Sequence, residues 1–182
     1  MAPGMLVQGE WRVEERRGNE EGRFVRSGTT FRDFVTADDS SGFRAEAGRY
    51  HLYISWACPW AHRTGILHKL KALEDVVGLA AVGSFMGDDG WAFYDEPGVV
   101  PDTVNGARYL REVYQRADPS YTGRVTTPVL WDKEKETIVN NESRDIIRMF
   151  DHKFDAVPGA KPEVNFCPED LHEEVDRTLD EL

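Results

Sequence analysis

The chain has 182 residues, 40% hydrophobic and 11% aromatic, with 22 basic residues against 33 acidic ones and a formal net charge of -11. A polyanion requires a basic footprint, so this balance argues against a nucleic-acid partner. No apolar run is long enough to span a bilayer, and residues 1–21 carry charges throughout, without the apolar segment of a secretory signal, so no membrane partner is expected and the cytoplasm is the default compartment.

A chain of this length can bury one sizeable core, or one core plus a fragment of another. Lysine is scarce (Lys69, Lys71, Lys133, Lys135, Lys153 and Lys161), so most of the basic residues are arginine. An acidic, lysine-poor surface is one way to stay soluble at high salt, and it equally describes an ordinary acidic cytosolic protein. The two cysteines, Cys58 and Cys167, do not read as the structural disulfide of a secreted chain. The open question is which of them is reactive.

Residues 1–48 are polar and punctuated by glycine, with short apolar islands at Met5–Val7 and Phe31–Val35. They are expected to form an N-terminal extension wrapping a domain that spans 49–152. The stretch Tyr50–Ser55 has the aromatic and β-branched content of a strand. A helix is expected from Trp60 to about Leu73, with Ile66, Leu67, Leu70 and Leu73 at helical spacing and Pro59 in its first turn. The apolar run Val76–Val82 reads as a buried strand parallel to the first. Gly83–Ala107, rich in Gly, Asp and Pro, reads as a long loop of the functional or disordered kind.

A helix is expected over Arg108–Ala117, stopped by Asp118-Pro119. Thr127–Trp131 and Thr137–Val139 read as a hairpin turning at Asp132–Glu136. A helix follows through Phe150, with Asn141 as its cap. The order βαβ, α, ββ, α is the thioredoxin-like layout, an α/β fold. Residues 153–167 read as a proline-bearing linker. Residues 168–182 begin an acidic amphipathic helix with Leu171, Val175 and Leu179 four apart. Such a helix has nothing to pack against, so the chain is expected to be truncated within an all-α C-terminal domain.

Cys58 stands where a strand meets a helix N-terminus, where unpaired N–H groups and the helix dipole favour a thiolate. The frame Cys58-Pro59-Trp60-Ala61 is the C-x-x-C redox frame with Ala61 in place of the second cysteine. Without a resolving thiol, Cys58 must form a mixed disulfide with an external thiol and be released by another. The bland alternative is a cysteine acting as a small hydrophobe. The histidines His51, His62, His68, His152 and His172 form no ligand-like cluster, so no metal site is expected. Nor is there a phosphate-cradling or dinucleotide-binding glycine motif. Trp60 reads as partly structural, covering the helix that carries Cys58, Trp131 as core, and Cys167 as without a catalytic role.

The segment Tyr53–Arg63, with Cys58-Pro59-Trp60-Ala61 at its centre, resembles the active-site segment of the glutathionyl-hydroquinone reductases, the Xi class of glutathione transferases. Two further blocks resemble the family in the same order: Tyr121–Asp132, and Ile138-Val139-Asn140-Asn141-Glu142-Ser143 continuing through Phe150. The resemblance implies Cys58 as nucleophile and glutathione as co-substrate, with another low-molecular-weight thiol as an alternative. It implies a cis proline at Pro128, with main-chain groups of Val125, Thr126 and Thr127 binding the cysteinyl part of glutathione as an added strand. Glu142 and Ser143 would hold the γ-glutamyl end, Arg124 would contact the anionic ligand, and Trp91 would pack against the tripeptide. Taken alone, Glu142-Ser143 can also be an ordinary helix start, Arg124 is more often a solvated surface residue, and Trp91 serves as well as a loop anchor.

The implied partners are glutathione and a glutathionylated hydroquinone, and a homodimer is one assembly compatible with them. In the family, tyrosines of the C-terminal helical domain deliver the proton to the leaving aromatic carbon, so no residue here takes that role. A chain without that domain is expected to form the Cys58 mixed disulfide but to turn over poorly. Two other readings stand beside this one: a general monothiol glutaredoxin-like reductase, and a non-catalytic thiol-binding remnant.

Overall fold

The computed structural model describes residues 4–13 and 28–180. The expected N-terminal extension is therefore described only in part, and the last two residues of the expected C-terminal helix lie outside the described residues. The central strand β3 (Tyr50–Ser55) is buried along its whole length. It pairs in parallel with β4 (Gly78–Val82) through the helix α1 (Pro59–Leu70), and antiparallel with β6 (Val129–Asp132). The strand β7 (Thr137–Asn140) completes a sheet of order β4-β3-β6-β7. The helices α2 (Leu110–Ala117) and α3 (Ser143–His152) cover it. This is the expected thioredoxin-like arrangement.

Alternation along the strands divides the core in two, because successive side chains of a strand face opposite ways. Leu52, Ile54 and Leu130 point to one face and pack with Leu67, Ile146, Met149 and Phe150 of α1 and α3. Tyr53, Val129 and Trp131 point to the other and pack with Leu110, Val113 and Tyr114 of α2. Each such side chain, fully buried, contributes about 1.5–3 kcal/mol relative to exposure.

Helix α1 ends earlier than its apolar pattern indicates. Ala72 takes a left-handed φ of 54°, with Ala72 N–H donating to Lys69 O at 3.1 Å and Leu73 N–H to His68 O at 2.9 Å. That is a Schellman closure with alanine where glycine is usual, so the sequence carries no stop signal. The strand after it starts at Gly78, because Val76 and Val77 still bond back to Leu73 O. The expected apolar stripe is also half wrong. Leu67 and Leu73 are buried, whereas Ile66 and Leu70 are 48% and 45% exposed. The helix packs through the small residues Ala61, Thr64 and Gly65 together with Leu67 and His68.

The Gly83–Ala107 loop is ordered by its own polar contacts. The buried Asp102 carboxylate accepts from Tyr53 Oη at 3.0 Å and from the main-chain N–H groups of Val104, Asn105 and Ala107. The Met5–Val7 island is a strand, β1 (Gly4–Val7). It forms a hairpin with β2 (Glu10–Val13) and pairs on its other side with β5 (Gly123–Arg124). Residues 28–36 run beside β7 and α3, where Arg32 pairs with Asp145 at 2.6 Å and Asn141 N–H donates to Phe31 O.

Beyond α3, the fully buried Lys71 Nζ donates to Asp151 O, Asp155 Oδ1 and Val164 O, each at 2.7 Å, fastening the proline-bearing segment to the end of α1. A short 3-10 turn (Glu169–Leu171) leads into α4 (His172–Asp180), which buries no residue. It meets α3 through Arg144–Asp176, Arg144–Asp180 and Arg148–Asp176 pairs at 3.0, 2.6 and 2.8 Å. Among the described residues, no helix is long and apolar enough to cross a membrane.

Candidate thiol site

Cys58 is the N-cap of α1, with extended backbone (φ −92°, ψ 113°). Its N–H closes a turn onto Ser55 O at 3.1 Å, and its carbonyl accepts the helix's His62 N–H at 2.8 Å. Pro59 follows in the first turn, where its missing N–H breaks no intrahelical bond. The thiol is half-buried and unoxidised, and it contacts the Thr127 carbonyl at 3.7 Å. The Thr127–Pro128 peptide bond is cis. The Cys58 thiol and the cis-proline turn are thus neighbours.

From that turn a cleft of about 430 Å³ runs to the start of α3. Of the residues expected at the site, Arg124, Thr126, Thr127, Pro128, Glu142 and Ser143 line it. Cys58 reaches its edge through Thr127 O. Val125 contributes its side chain to the second core cluster instead, so only its main chain can serve a ligand. The Thr126 N–H and carbonyl both meet the Tyr114 hydroxyl, at 3.3 and 3.0 Å, so the N–H is committed to a partner within the chain while the carbonyl keeps a second lone pair. Trp91 is not brought into the cleft lining. It packs half-buried against the second core cluster, and its carbonyl accepts Leu110 N–H at 2.9 Å.

Two assignments at the helix ends change. Glu142, not Asn141, caps α3, accepting Arg144 N–H at 3.2 Å. Asn141 is unavailable because its side chain is spent elsewhere: Nδ2 donates to Tyr114 Oη at 3.1 Å and Oδ1 accepts Phe31 N–H at 3.3 Å. Trp60 covers its helix only in part. It is 46% exposed and also lines the cleft, with the guanidinium of Arg63, on the same helix, 5.3 Å from its ring centroid.

Arg63 is the cleft residue that the sequence reading passed over. It donates from Nε at 3.1 Å and Nη2 at 2.6 Å to Ser143 Oγ, and stands 3.9 Å from Glu142. Burial lowers its proton affinity below that of an ordinary arginine, while Glu142 pulls the other way. A signal for it exists, since Trp60 and Arg63 are three apart and share a helix face. Thr30, which also lines the cleft, has none, because it comes from a distant polar segment.

The cleft therefore offers a thiol at one end, main-chain groups in its middle, and Arg63, Ser143, Glu142 and the N-terminus of α3 at the other. That pattern suits an extended ligand with a sulfur at one position and both a carboxylate and an ammonium further along. Among the described residues, no group of three or more His, Cys, Asp or Glu is arranged to hold a metal ion. Cys167 lies apart and 5% exposed, its carbonyl accepting from His152 Nε2 and His172 Nε2 at 2.9 and 2.7 Å and its sulfur touching Arg148.

Residues 57–153 match the family described as glutathione S-transferase, N-terminal domain. The chain is 47% identical over 175 residues to the glutathionyl-hydroquinone reductase PcpF of Sphingobium chlorophenolicum, covering 96% of this chain and 54% of that protein. Its fold matches the Xi-class glutathione transferase of Natrialba magadii with a TM-score of 0.87 at 48% identity, over 99% of this chain and 53% of that one. The glutathione-bound structure of YqjG, a glutathione transferase homologue from Escherichia coli K-12, matches with a TM-score of 0.82 at 44% identity, over 96% of this chain and 53% of that one. The chain spans about half the length of the curated relatives it matches.

Proposed function

We propose that this chain, which belongs to the glutathione S-transferase family, carries the thiol chemistry of a glutathionyl-hydroquinone reductase, with Cys58 as nucleophile. The observation that supports this most is the thiol at the N-terminus of α1 within 3.7 Å of the Thr127 carbonyl, at one end of a cleft whose other end holds Ser143 and Glu142. Of the relatives named above, PcpF is a glutathionyl-hydroquinone reductase and YqjG is seen with glutathione bound, which supports the same reading here.

In this reading, glutathione lies along the cleft with its cysteinyl part beside the main chain of Thr127. Its γ-glutamyl carboxylate meets Ser143 and the N-terminus of α3, and its ammonium meets Glu142. Arg124 adds positive charge to the same cleft. Cys58 attacks the sulfur of an S-glutathionyl hydroquinone as thiolate. A sulfur–sulfur bond forms and the aryl carbon–sulfur bond breaks, leaving its electron pair on the aryl carbon, which takes up a proton to give the hydroquinone. A second glutathione, as thiolate, then attacks the glutathionyl sulfur of the Cys58 disulfide. Oxidised glutathione leaves and the Cys58 thiolate is restored. The aryl carbon is reduced by two electrons, supplied by two sulfurs that end as oxidised glutathione, the substrate's own thioether sulfur and the thiol of the second glutathione. No described residue is assigned the delivery of the proton. A cytoplasmic setting, with thiols kept reduced, suits this cycle.

The test is to supply an S-glutathionyl hydroquinone with excess glutathione and measure both products. Hydroquinone and oxidised glutathione in equal amounts support the reading. Reduction of simple glutathionyl disulfides with no release of hydroquinone would instead support a glutaredoxin-like reductase.

A further inference from the structure

We propose that Arg63 is a positioning residue that aims the Ser143 hydroxyl at a ligand α-carboxylate, and so makes the cleft selective for a γ-glutamyl thiol. The proposal rests on the glutathione reading above and concerns a residue to which that reading gives no role.

Arginine has donors and no acceptor, so both contacts to Ser143 Oγ, at 3.1 and 2.6 Å, run from the guanidinium to the oxygen. A hydroxyl oxygen has two lone pairs, and these two bonds occupy both. The Ser143 O–H is thereby left to donate and nothing else. In this structure its acceptor is Glu142 Oε1 at 3.4 Å, long for an O–H···O bond. A carboxylate placed at the N-terminus of α3 offers a shorter, charge-assisted partner, in the region where the helix dipole already favours negative charge.

Arg63 acts on the neighbouring charge as well. It stands 3.9 Å from Glu142, whose carboxylate would otherwise repel an incoming anion. The contact is sheltered on the Ser143 side and braced on the other: Ser143 is 3% exposed, and the guanidinium lies over the Trp60 ring. Helix α1 therefore contributes to both ends of the cleft, Cys58 at its cap and Arg63 just over one turn further on.

The experiment is titration of the full chain with S-methylglutathione and with its S-methylated analogue built on 4-aminobutyryl-cysteinyl-glycine, which keeps the amine and lacks the α-carboxylate. Arg63→Gln should weaken S-methylglutathione about tenfold, the size of one charge-assisted hydrogen bond, and leave the analogue unchanged. Ser143→Ala should reproduce that loss, and combining the two should add little, as for residues acting as one unit. Arg63→Lys, which keeps the charge without the fork, should recover part of the affinity. Equal weakening of both ligands by Arg63→Gln, or no weakening of either, would overturn the positioning role and leave the glutathione reading standing. A wild-type chain that does not bind S-methylglutathione would overturn the glutathione reading and this role together.

Discussion

Asn141 Nδ2 donates to the Tyr114 hydroxyl at 3.1 Å, and that hydroxyl donates in turn to the Thr126 carbonyl at 3.0 Å. One buried phenol of α2 thus joins the start of α3 to the turn that carries Thr127 and Pro128. Burial pushes the Tyr114 hydroxyl up to about 12, so its proton stays in place across the working range. The two walls of the cleft are held in register by a residue that is not among those lining it.

Tyr114→Phe should therefore strand the Asn141 and Thr126 donors and the Thr126 carbonyl in a buried site. We expect a loss of about 1–3 kcal/mol in denaturant unfolding, with severalfold weaker glutathione binding. Unchanged unfolding with unchanged binding would show that the walls are held by other means.

The buried Arg49 guanidinium grips the fully buried Asp132 carboxylate, with Nη2 at 2.6 Å and Nε at 3.1 Å, tying the entry to β3 to the end of β6. Arg49→Met leaves that carboxylate with main-chain partners only, from Glu134 and Lys135. The expected cost is about 3 kcal/mol, partly recovered by adding Asp132→Leu, because the second change removes the uncompensated charge. A stability equal to wild type for Arg49→Met would rule this out.

Stability should fall in mild acid. Burial lowers His51 to about 4 and lowers His68 in the same direction. Both are neutral in the folded chain at a pH where the unfolded chain begins to bind protons. The contribution is fully present above the unfolded value near 6.5 and is lost as pH falls from there towards 4. His51 alone accounts for about 3 kcal/mol across that window. His51→Gln should flatten the slope of unfolding free energy against pH between 6.5 and 4.5, and an unaltered slope would count against the assignment.

Much of the fold is legible in the chain because strong local patterns agree with tertiary demands. The strand Tyr50–Ser55, the Cys58-Pro59 junction and the hairpin around Asp132–Glu136 each emerge from composition and punctuation. What misleads is where tertiary packing takes over. Helix α1 ends at an alanine in a left-handed conformation, so no glycine marks it. Its larger apolar residues Ile66 and Leu70 are exposed while Ala61, Thr64 and Gly65 face the core.

Within the site, Cys58 is legible from its own strand–helix junction, whereas Thr127-Pro128 and Glu142-Ser143 stand out only through the family resemblance. Capping by Glu142 in place of Asn141 depends on Tyr114, distant in sequence. The exposure of Trp60 depends on what lies across the cleft, and the Arg63–Ser143 contact joins residues on two helices. Periodicity carries no information about such partners.

The most direct test is the mass of the intact chain after brief exposure to an S-glutathionyl hydroquinone without free glutathione, followed by peptide mapping. The account predicts addition of one glutathionyl group, located on Cys58, released by glutathione and lost in Cys58→Ser but not in Cys167→Ser. An unmodified chain, or a glutathionyl group on Cys167 instead, would contradict it.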